Sequence, residues 1–502
     1  MNRTARLKMN SIVSLLNRIA ILISGLILPR YILLYFGSEI NGLVQSITQF
    51  LSIITFLDLG VGSVVQSALY KPLANNDKYQ SSLVLKAARN FFRKIAYVLI
   101  LYVVILALFY PFVIDSSFTY LSTVFLIVAL SINLFAQYYF GIVNEILLNA
   151  DQKGYIQLGT EIIVVILNLI ASIFLITQGF SIQIVKLVAG LIYLLRPLYL
   201  AYYVNKHFDL DNNVEVKGDP IPQKWGGIGQ HVAYTVQNNT DITVLTLFSS
   251  LENVSIYSVY NMVVRAIRLL FTSLTSGMTP FFGDLLASEE HELLDDYFSK
   301  IEWLLHTAVT FLFGMTALLI NEFVQIYTSG VTDVNYSAPF FSLLLVIAYA
   351  IYSIRTPYRM LVFSAGHYKE TQMSSFIEAG INIVISLALV NSLGLIGIAI
   401  GTLLSMIYQT LYLVVYLSKN IIFRSIKIFI KQITIDAVTF ILMMFIGTMV
   451  LNIINVTTLI EWTIAAVILG IIYVLILLLI NFIIYREYLN FYLNKIIRVI
   501  KR

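Results

Sequence analysis

Residues 198–206 read LYLAYYVNK and residues 411–419 read LYLVVYLSK. Leu198, Tyr199, Leu200, Tyr203 and Lys206 thus return as Leu411, Tyr412, Leu413, Tyr416 and Lys419 after a displacement of 213 positions. The same displacement carries Glu39 to Glu252, and the pair Leu73 and Ala74 to Leu286 and Ala287. One spacing that serves three separated places is the signature of an internal repeat.

The chain around these stretches is too apolar for water. Of its 502 residues 59% are hydrophobic and 12% charged, whereas charged residues make up about a quarter of a soluble protein. A helix needs about 20 largely apolar residues to cross about 30 Å of hydrocarbon. Fourteen windows qualify, roughly 11–36, 41–69, 94–114, 118–142, 156–176, 181–204, 227–248, 254–283, 301–326, 338–363, 374–390, 395–417, 433–454 and 459–484. The expected fold is an all-α polytopic membrane protein, since the alternating ten-residue segments of a transmembrane barrel do not occur.

Lysine and arginine then sort by side. The stretches 37–40, 115–117, 177–180, 249–253, 330–335, 391–394 and 455–458 contain neither, while every alternate loop contains at least one. By the positive-inside rule both termini are cytoplasmic. The net charge of +5 is read as orientation, not as a nucleic-acid surface, which would concentrate its bases on one face. No cleavable signal peptide is visible, because the first apolar run is too long for one. There is no cysteine.

With the repeat, these spans form two parallel six-helix halves around a central cavity, followed by two C-terminal helices. Both halves begin on the same side because each has an even number of spans, so their axis of symmetry lies along the membrane normal. The expected boundaries are 1–206 for the first half, 207–226 for a cytoplasmic connection, 227–419 for the second half and 420–502 for helices 13 and 14 with a basic tail. Such an arrangement suits a transporter. A channel would require a filter segment, and none is apparent.

Ionisable side chains at membrane depth cost roughly 2.5–3.5 kcal/mol each, so they should face a cavity or a partner. Asn261, Arg265, Arg268, Thr272, Thr275 and Thr279 recur at steps of three and four and share one helical face. A parallel stripe holds Gln230, Tyr234, Gln237 and Asp241, with Asn238 alongside; another holds Tyr349, Tyr352, Thr356 and Arg359, with Arg355 adjacent. Asn10, Ser14, Asn17 and Arg18 mark the first span, and Gln45, Gln49, Ser52 and Asp58 the second. Each residue could instead only join helices, at an average of about 0.6 kcal/mol per hydrogen bond. A cleft with several arginines and few acids fits an amphiphilic anion, because the guanidinium fork holds phosphate oxygens in pairs. Arg18, Arg265, Arg268, Arg355 and Arg359 are the candidate anion ligands, and Asn261, Gln237, Asn238 and Tyr352 the sugar contacts. Asp58 and Asp241 are candidates for coupling to a proton or sodium ion. Glu161, Glu378 and Asp436 lie near helix starts and are expected to be structural. Residues 71–94 carry six bases and one acid, whereas 284–300 carry six acids and one base.

No Walker motif, Rossmann glycine pattern or metal-spaced histidine cluster occurs, so no cofactor, metal site or catalytic residue is expected. The short outer loops also argue against a glycan polymerase or ligase.

The stretches MNSIVSLLNRIAILISGLILPRYILLYFGSEINGLVQSITQFLSIITFLDLGVGSVV (9–65) and IYSVYNMVVRAIRLLFTSLTSGMTPFFGDLLA (256–287), with ILLNADQKGYIQ (146–157) and VFSAGHYKETQ (362–372), carry a resemblance. The chain resembles the polysaccharide-transporter, or Wzx-type, branch of the multidrug/oligosaccharidyl-lipid/polysaccharide exporter superfamily. That resemblance implies a flippase of the bacterial cytoplasmic membrane. It would move an undecaprenyl-pyrophosphate-linked oligosaccharide to the outer leaflet by alternating access, for capsule, teichoic acid or another surface polysaccharide. A polymerase and glycosyltransferases are the implied partners, and the cationic residues at the family's cavity positions are Arg18, Arg265 and Arg268. Spans thirteen and fourteen also resemble those of peptidoglycan-precursor flippases. The alternatives are such a precursor flippase and a cation-coupled multidrug exporter.

Overall fold

A bilayer offers the backbone no water, so each spanning segment must satisfy its own N–H and C=O groups, and the helix does this locally. The computed structural model describes residues 3–58, 60–114, 116–211, 214–215, 228–275, 278–288 and 290–492. Among them there are α-helices, short 3-10 and π segments, and no strand. The expected connection 207–226 lies outside the described residues at 212–213 and 216–226, and the basic tail does so from 493 onward.

Among the described residues, twelve helices are long and apolar enough to cross a membrane, against the fourteen windows expected. The first of the twelve, Ala5–Asp58, covers 54 residues and holds the first expected span and the larger part of the second, whose end falls in Val61–Ala74. It is broken at Gly37, where φ is 83° and ψ 177°. A side chain there is disfavoured by the left-handed φ, and its Cβ, 2.9 Å from Asp333 Oδ2, would push that carboxylate aside. The seventh expected span is a helix, Ile228–Phe248, but its Gln237, Asn238, Asn239, Thr240 and Asp241 make it more polar than the twelve.

The 213-residue displacement also relates helix to helix. It takes the start of Lys78–Val113 to the start of His291–Tyr327, and both ends of Ile182–His207 to those of Leu395–Asn420. It further takes the end of Val61–Ala74 to the end of Met278–Ala287. Packing makes a different partition: one compact unit is Met1–Ile256 with Gly330–Val334, and the other is Tyr257–Ser329 with Asn335–Arg502.

In the first unit the loops without lysine or arginine meet at one end. The Ser38 N–H and hydroxyl donate to the Asp333 carboxylate at 2.6 and 2.9 Å, and Ser117 donates twice to Glu39. Gly42 passes so near residue 251, across from it in this unit, that a Cβ would lie 1.8 Å from the Leu251 carbonyl oxygen. A separate set of contacts joins the base-bearing segments. Arg6 donates to the Asp151 carbonyl at 3.2 Å, Lys153 pairs with Asp151 at 2.7 Å and packs over Phe208, and Lys78 pairs with Asp209. Segments 71–94 and 284–300, which lie between expected spans, are largely helical, in Val61–Ala74, Lys78–Val113, Met278–Ala287 and His291–Tyr327.

In the second unit the helices Lys427–Ile454 and Leu459–Ile484, expected as spans thirteen and fourteen, pack on His291–Tyr327. Trp303 donates to Asn481 at 2.6 Å, Trp462 to the Leu319 carbonyl at 3.0 Å, and Tyr473 to the Met443 carbonyl at 2.7 Å. Leu459–Ile484 buries Ala465, Leu469, Tyr473 and Leu477 while Ile460, Val467, Ile471, Leu475 and Ile483 stay exposed. An outer face whose exposed residues are apolar but for Thr463 belongs against lipid.

Candidate functional site

The helix Pro339–Ile354 ends at Arg355 and a second helix, Thr356–Ser364, begins at once. Pro357 accounts for the break, since it has no N–H to give to the preceding turn. Around this break three guanidinium groups surround one phenol. The ring centre of Tyr352 is 4.2 Å from the guanidinium carbon of Arg355, 5.1 Å from that of Arg268 and 5.6 Å from that of Arg359. Arg268 also lies 5.5 Å from the ring of Tyr349, and Arg359 donates to the Tyr352 hydroxyl at 3.2 Å. Tyr349, Tyr352 and Arg355 are buried.

The cations are not equivalent. Arg355 is held by Glu378 at 2.5 Å, and both side chains are about 5% exposed or less. Such a buried pair is neutral, so it positions Arg355 without attracting an anion. Arg268 is half-buried and meets two aromatic faces but no carboxylate among the described residues. Cation–π contact orients its guanidinium, at roughly 0.5–2 kcal/mol, without neutralising its charge.

The structure therefore gathers Arg268, Arg355, Arg359 and Tyr352 from the predicted residues. Arg265 is one turn from Arg268 on Leu251–Thr275 and is exposed. Asn261, a turn further, is buried, and its Oδ1 has no hydrogen-bond partner among the described residues. Thr272 and Thr275, on the same stripe, spend their hydroxyls on carbonyls of their own helix, the usual alternative for such residues within helices. Arg18, Asp58, Gln237 and Asp241 belong to the first compact unit. Arg18 and Gln237 are half-buried, Asp58 closes the 3-10 turn Ile53–Asp58, and Asp241 is buried. The side chain of Asn238 lies outside the described residues. Part of the polar stripe in that unit joins helices: the Asn239 side-chain oxygen accepts from Gln49 and, at 2.7 Å, from Ser52.

The three acids expected to be structural each have a cationic or titratable partner: Glu161 has Arg196 at 3.5 Å, Glu378 has Arg355, and Asp436 has His306 at 2.6 Å. A larger network around the last pair was not foreseen. Arg424 pairs with Glu302, which accepts from Tyr358; Tyr358 approaches His306 Nε2 at 3.4 Å, and Gln432 donates to Asp436 at 3.1 Å. Glu302 and His306, like Gln432 and Asp436, are spaced by four on a helix, a pattern visible in the sequence. Among the described residues no group of three or more His, Cys, Asp or Glu is placed to hold a metal ion.

No family model matches the chain. No curated protein matches it either. Solved structures do. "Lipid II flippase MurJ, inward closed conformation" aligns with a TM-score of 0.71 at 15% identity, covering 96% of this chain and 99% of the other. A multidrug resistance MATE family transporter of the MOP superfamily, inward-facing, aligns with a TM-score of 0.55 at 14% identity, covering 84% and 99%. The Vibrio cholerae MATE transporter VcmN aligns at 0.52 with 13% identity, covering 84% and 100%. The chain is an all-α multi-pass membrane protein with the fold that these flippase and transporter structures share.

Proposed function

We propose that this protein is a flippase for a lipid-linked anion, carrying an undecaprenyl-pyrophosphate-linked oligosaccharide from the inner to the outer leaflet of a bacterial cytoplasmic membrane. The observation that carries this reading is Arg268, a half-buried guanidinium oriented by Tyr349 and Tyr352 with no carboxylate on it among the described residues. Arg359 adds positive potential at the same ring, while Arg355, neutralised by Glu378, holds the ring in place. A pyrophosphate supplies the paired acceptors that guanidinium groups match, and the Asn261 oxygen, which has no partner among the described residues, suits a sugar hydroxyl. Arg18 and Arg265 are proposed further anion ligands, and Gln237 and Asn238 further sugar contacts. Asp58 or Asp241 would couple movement to a proton or sodium ion. No catalytic residue or cofactor enters the scheme, and a polymerase and glycosyltransferases would be the neighbouring activities.

A peptidoglycan-precursor cargo is the second reading. It is favoured by the more extensive fold similarity to the lipid II flippase than to the MATE transporters, and the chemistry demanded of Arg268 is the same. A cation-coupled multidrug exporter fits less well, because a cationic drug would be repelled by this cluster.

Proteoliposomes loaded with an undecaprenyl-pyrophosphate-linked oligosaccharide provide the test, with outer-leaflet exposure read by lectin binding. Arg268→Ala should lower the flipping rate about tenfold or more, the loss expected for a charge-assisted contact, and Arg268→Lys should recover part of it. Wild-type rates in Arg268→Ala protein would remove this residue from the site.

A further inference from the structure

A second cationic feature is built wholly from the first compact unit and has no part in the scheme above. Lys86, Arg89 and Arg93 recur at steps of three and four on Lys78–Val113, hence on one face of that helix. They line a cavity of about 400 Å³ whose wall is mainly polar, with Asn90, Asn144 and Asn205 among its other side chains and Asp211 as its one acid. The formal balance of this wall is positive.

Two details distinguish the pocket from a solvated basic surface. Arg93 is stacked over the Tyr139 ring at 4.9 Å, and its buried Nε has no hydrogen-bond partner among the described residues. Arg89 and Arg93 stand one turn apart on the same helix and line the same cavity, so like charges face it together. Holding Lys86, Arg89 and Arg93 around one cavity with Asp211 as its one acid leaves an excess of like charge, and an anion placed between them relieves it.

The surroundings indicate the source of that anion. The pocket lies by Ser82 and Asp211, joined at 2.9 Å, near the Lys78–Asp209 pair and hence among the base-bearing segments of this unit. Below Arg93 the same helical stripe continues through Tyr97, Leu101, Ile105, Leu108 and Phe112, all exposed, with Phe112 at 79%. Cations followed along one face by an exposed apolar strip match a phosphate head followed by an acyl chain. Basic pockets at this level of a membrane protein are the usual seats of anionic lipid heads. We infer that this pocket binds the phosphate of an anionic phospholipid from the surrounding bilayer.

The full-length protein, purified in detergent, can be titrated with dioleoyl phosphatidylglycerol, with dioleoyl phosphatidylcholine and with inorganic phosphate, and retained ligand counted by native mass spectrometry. Phosphatidylglycerol should be retained over phosphatidylcholine by about tenfold or more, and inorganic phosphate should compete with it. The double variant Arg89→Gln, Arg93→Gln should abolish the preference. Lys71→Gln with Lys94→Gln removes the same charge from exposed positions and should leave the preference intact. Arg89→Gln alone should lower it about threefold to fivefold and serves if the double variant fails to fold. Equal retention of the two lipids, an equal loss in the Lys71 and Lys94 control, or phosphate binding with no preference between lipids would each overturn the assignment.

Discussion

The fourth helix of each repeat breaks at the same place, yet the chain just beyond the two breaks carries opposite charge. In the first repeat Tyr120–Ala136 passes through a π turn, Gln137–Gly141, into Ile142–Ala150. Displaced by 213, Gly141 falls on Ile354, where Pro339–Ile354 stops. Beyond the first break stands an acid, Glu145, which meets Arg196 at 3.0 Å while Arg196 reaches Glu161 at 3.5 Å. Beyond the second stand Arg355 and Arg359, with Glu378 opposite. The backbone of the fold supplies the break, and the side chains there decide its sign. Two acids share one arginine in the first repeat; in the second, three arginines crowd one tyrosine, and there the proposed pyrophosphate would bind.

The units also differ in how their interiors are joined. The first joins helices by neutral groups and close backbone approach, such as Asn41 to Ser255 at 2.8 Å and Gly42 against Leu251, and leaves its charged set of Arg196, Glu145 and Glu161 partly exposed. The second buries charged pairs, Arg424 with Glu302 and Arg355 with Glu378. The largest expected effect is therefore in the second unit. Glu302→Ala leaves the Arg424 guanidinium buried without its acid and should cost about 3–5 kcal/mol. Thermal unfolding in detergent would show a matching fall, and an unchanged midpoint would mean that this unit does not depend on the pair. In the first unit Gly42→Val should cost about 1–3 kcal/mol by overpacking, visible in the same measurement; a neutral result would show that the two helices can part freely. Glu145→Ala should cost about 1 kcal/mol, because Arg196 is 17% exposed and keeps Glu161. A loss as large as that of Glu302→Ala would erase the contrast between the units. The smallest effect on folding is expected for Arg268→Ala, about 0.5–1 kcal/mol, so its transport defect should appear in protein of nearly wild-type stability. Collapse of that variant on heating would assign Arg268 to structure instead.

Much of the fold is legible in the chain because a bilayer is a severe solvent. Apolar length reports the helices, Gly37 marks a break, and the loops without lysine or arginine report one end of the first unit, where Ser38, Glu39, Ser117 and Asp333 meet. The candidate site is half legible. Steps of three and four placed Asn261, Arg265 and Arg268 on one stripe, and Tyr352, Arg355 and Arg359 near one another, because helical periodicity is local. Periodicity does not reveal what lies across from a stripe. Thr272 and Thr275 turned out to bond within their own helix, and Arg355 is neutralised by Glu378, 23 positions away. The link from Glu302 and His306 to Arg424 and Asp436 spans more than 120 positions, and only packing brings such residues together.

The sequence by itself determined that this protein is a helical membrane protein built on a 213-residue repeat, because insertion cost and helical period act on neighbouring residues. Only the tertiary structure decided which cations are spent on acids and which are not. Partners are chosen across helices, and in a medium of low dielectric a partner cancels a charge that composition alone would count as available.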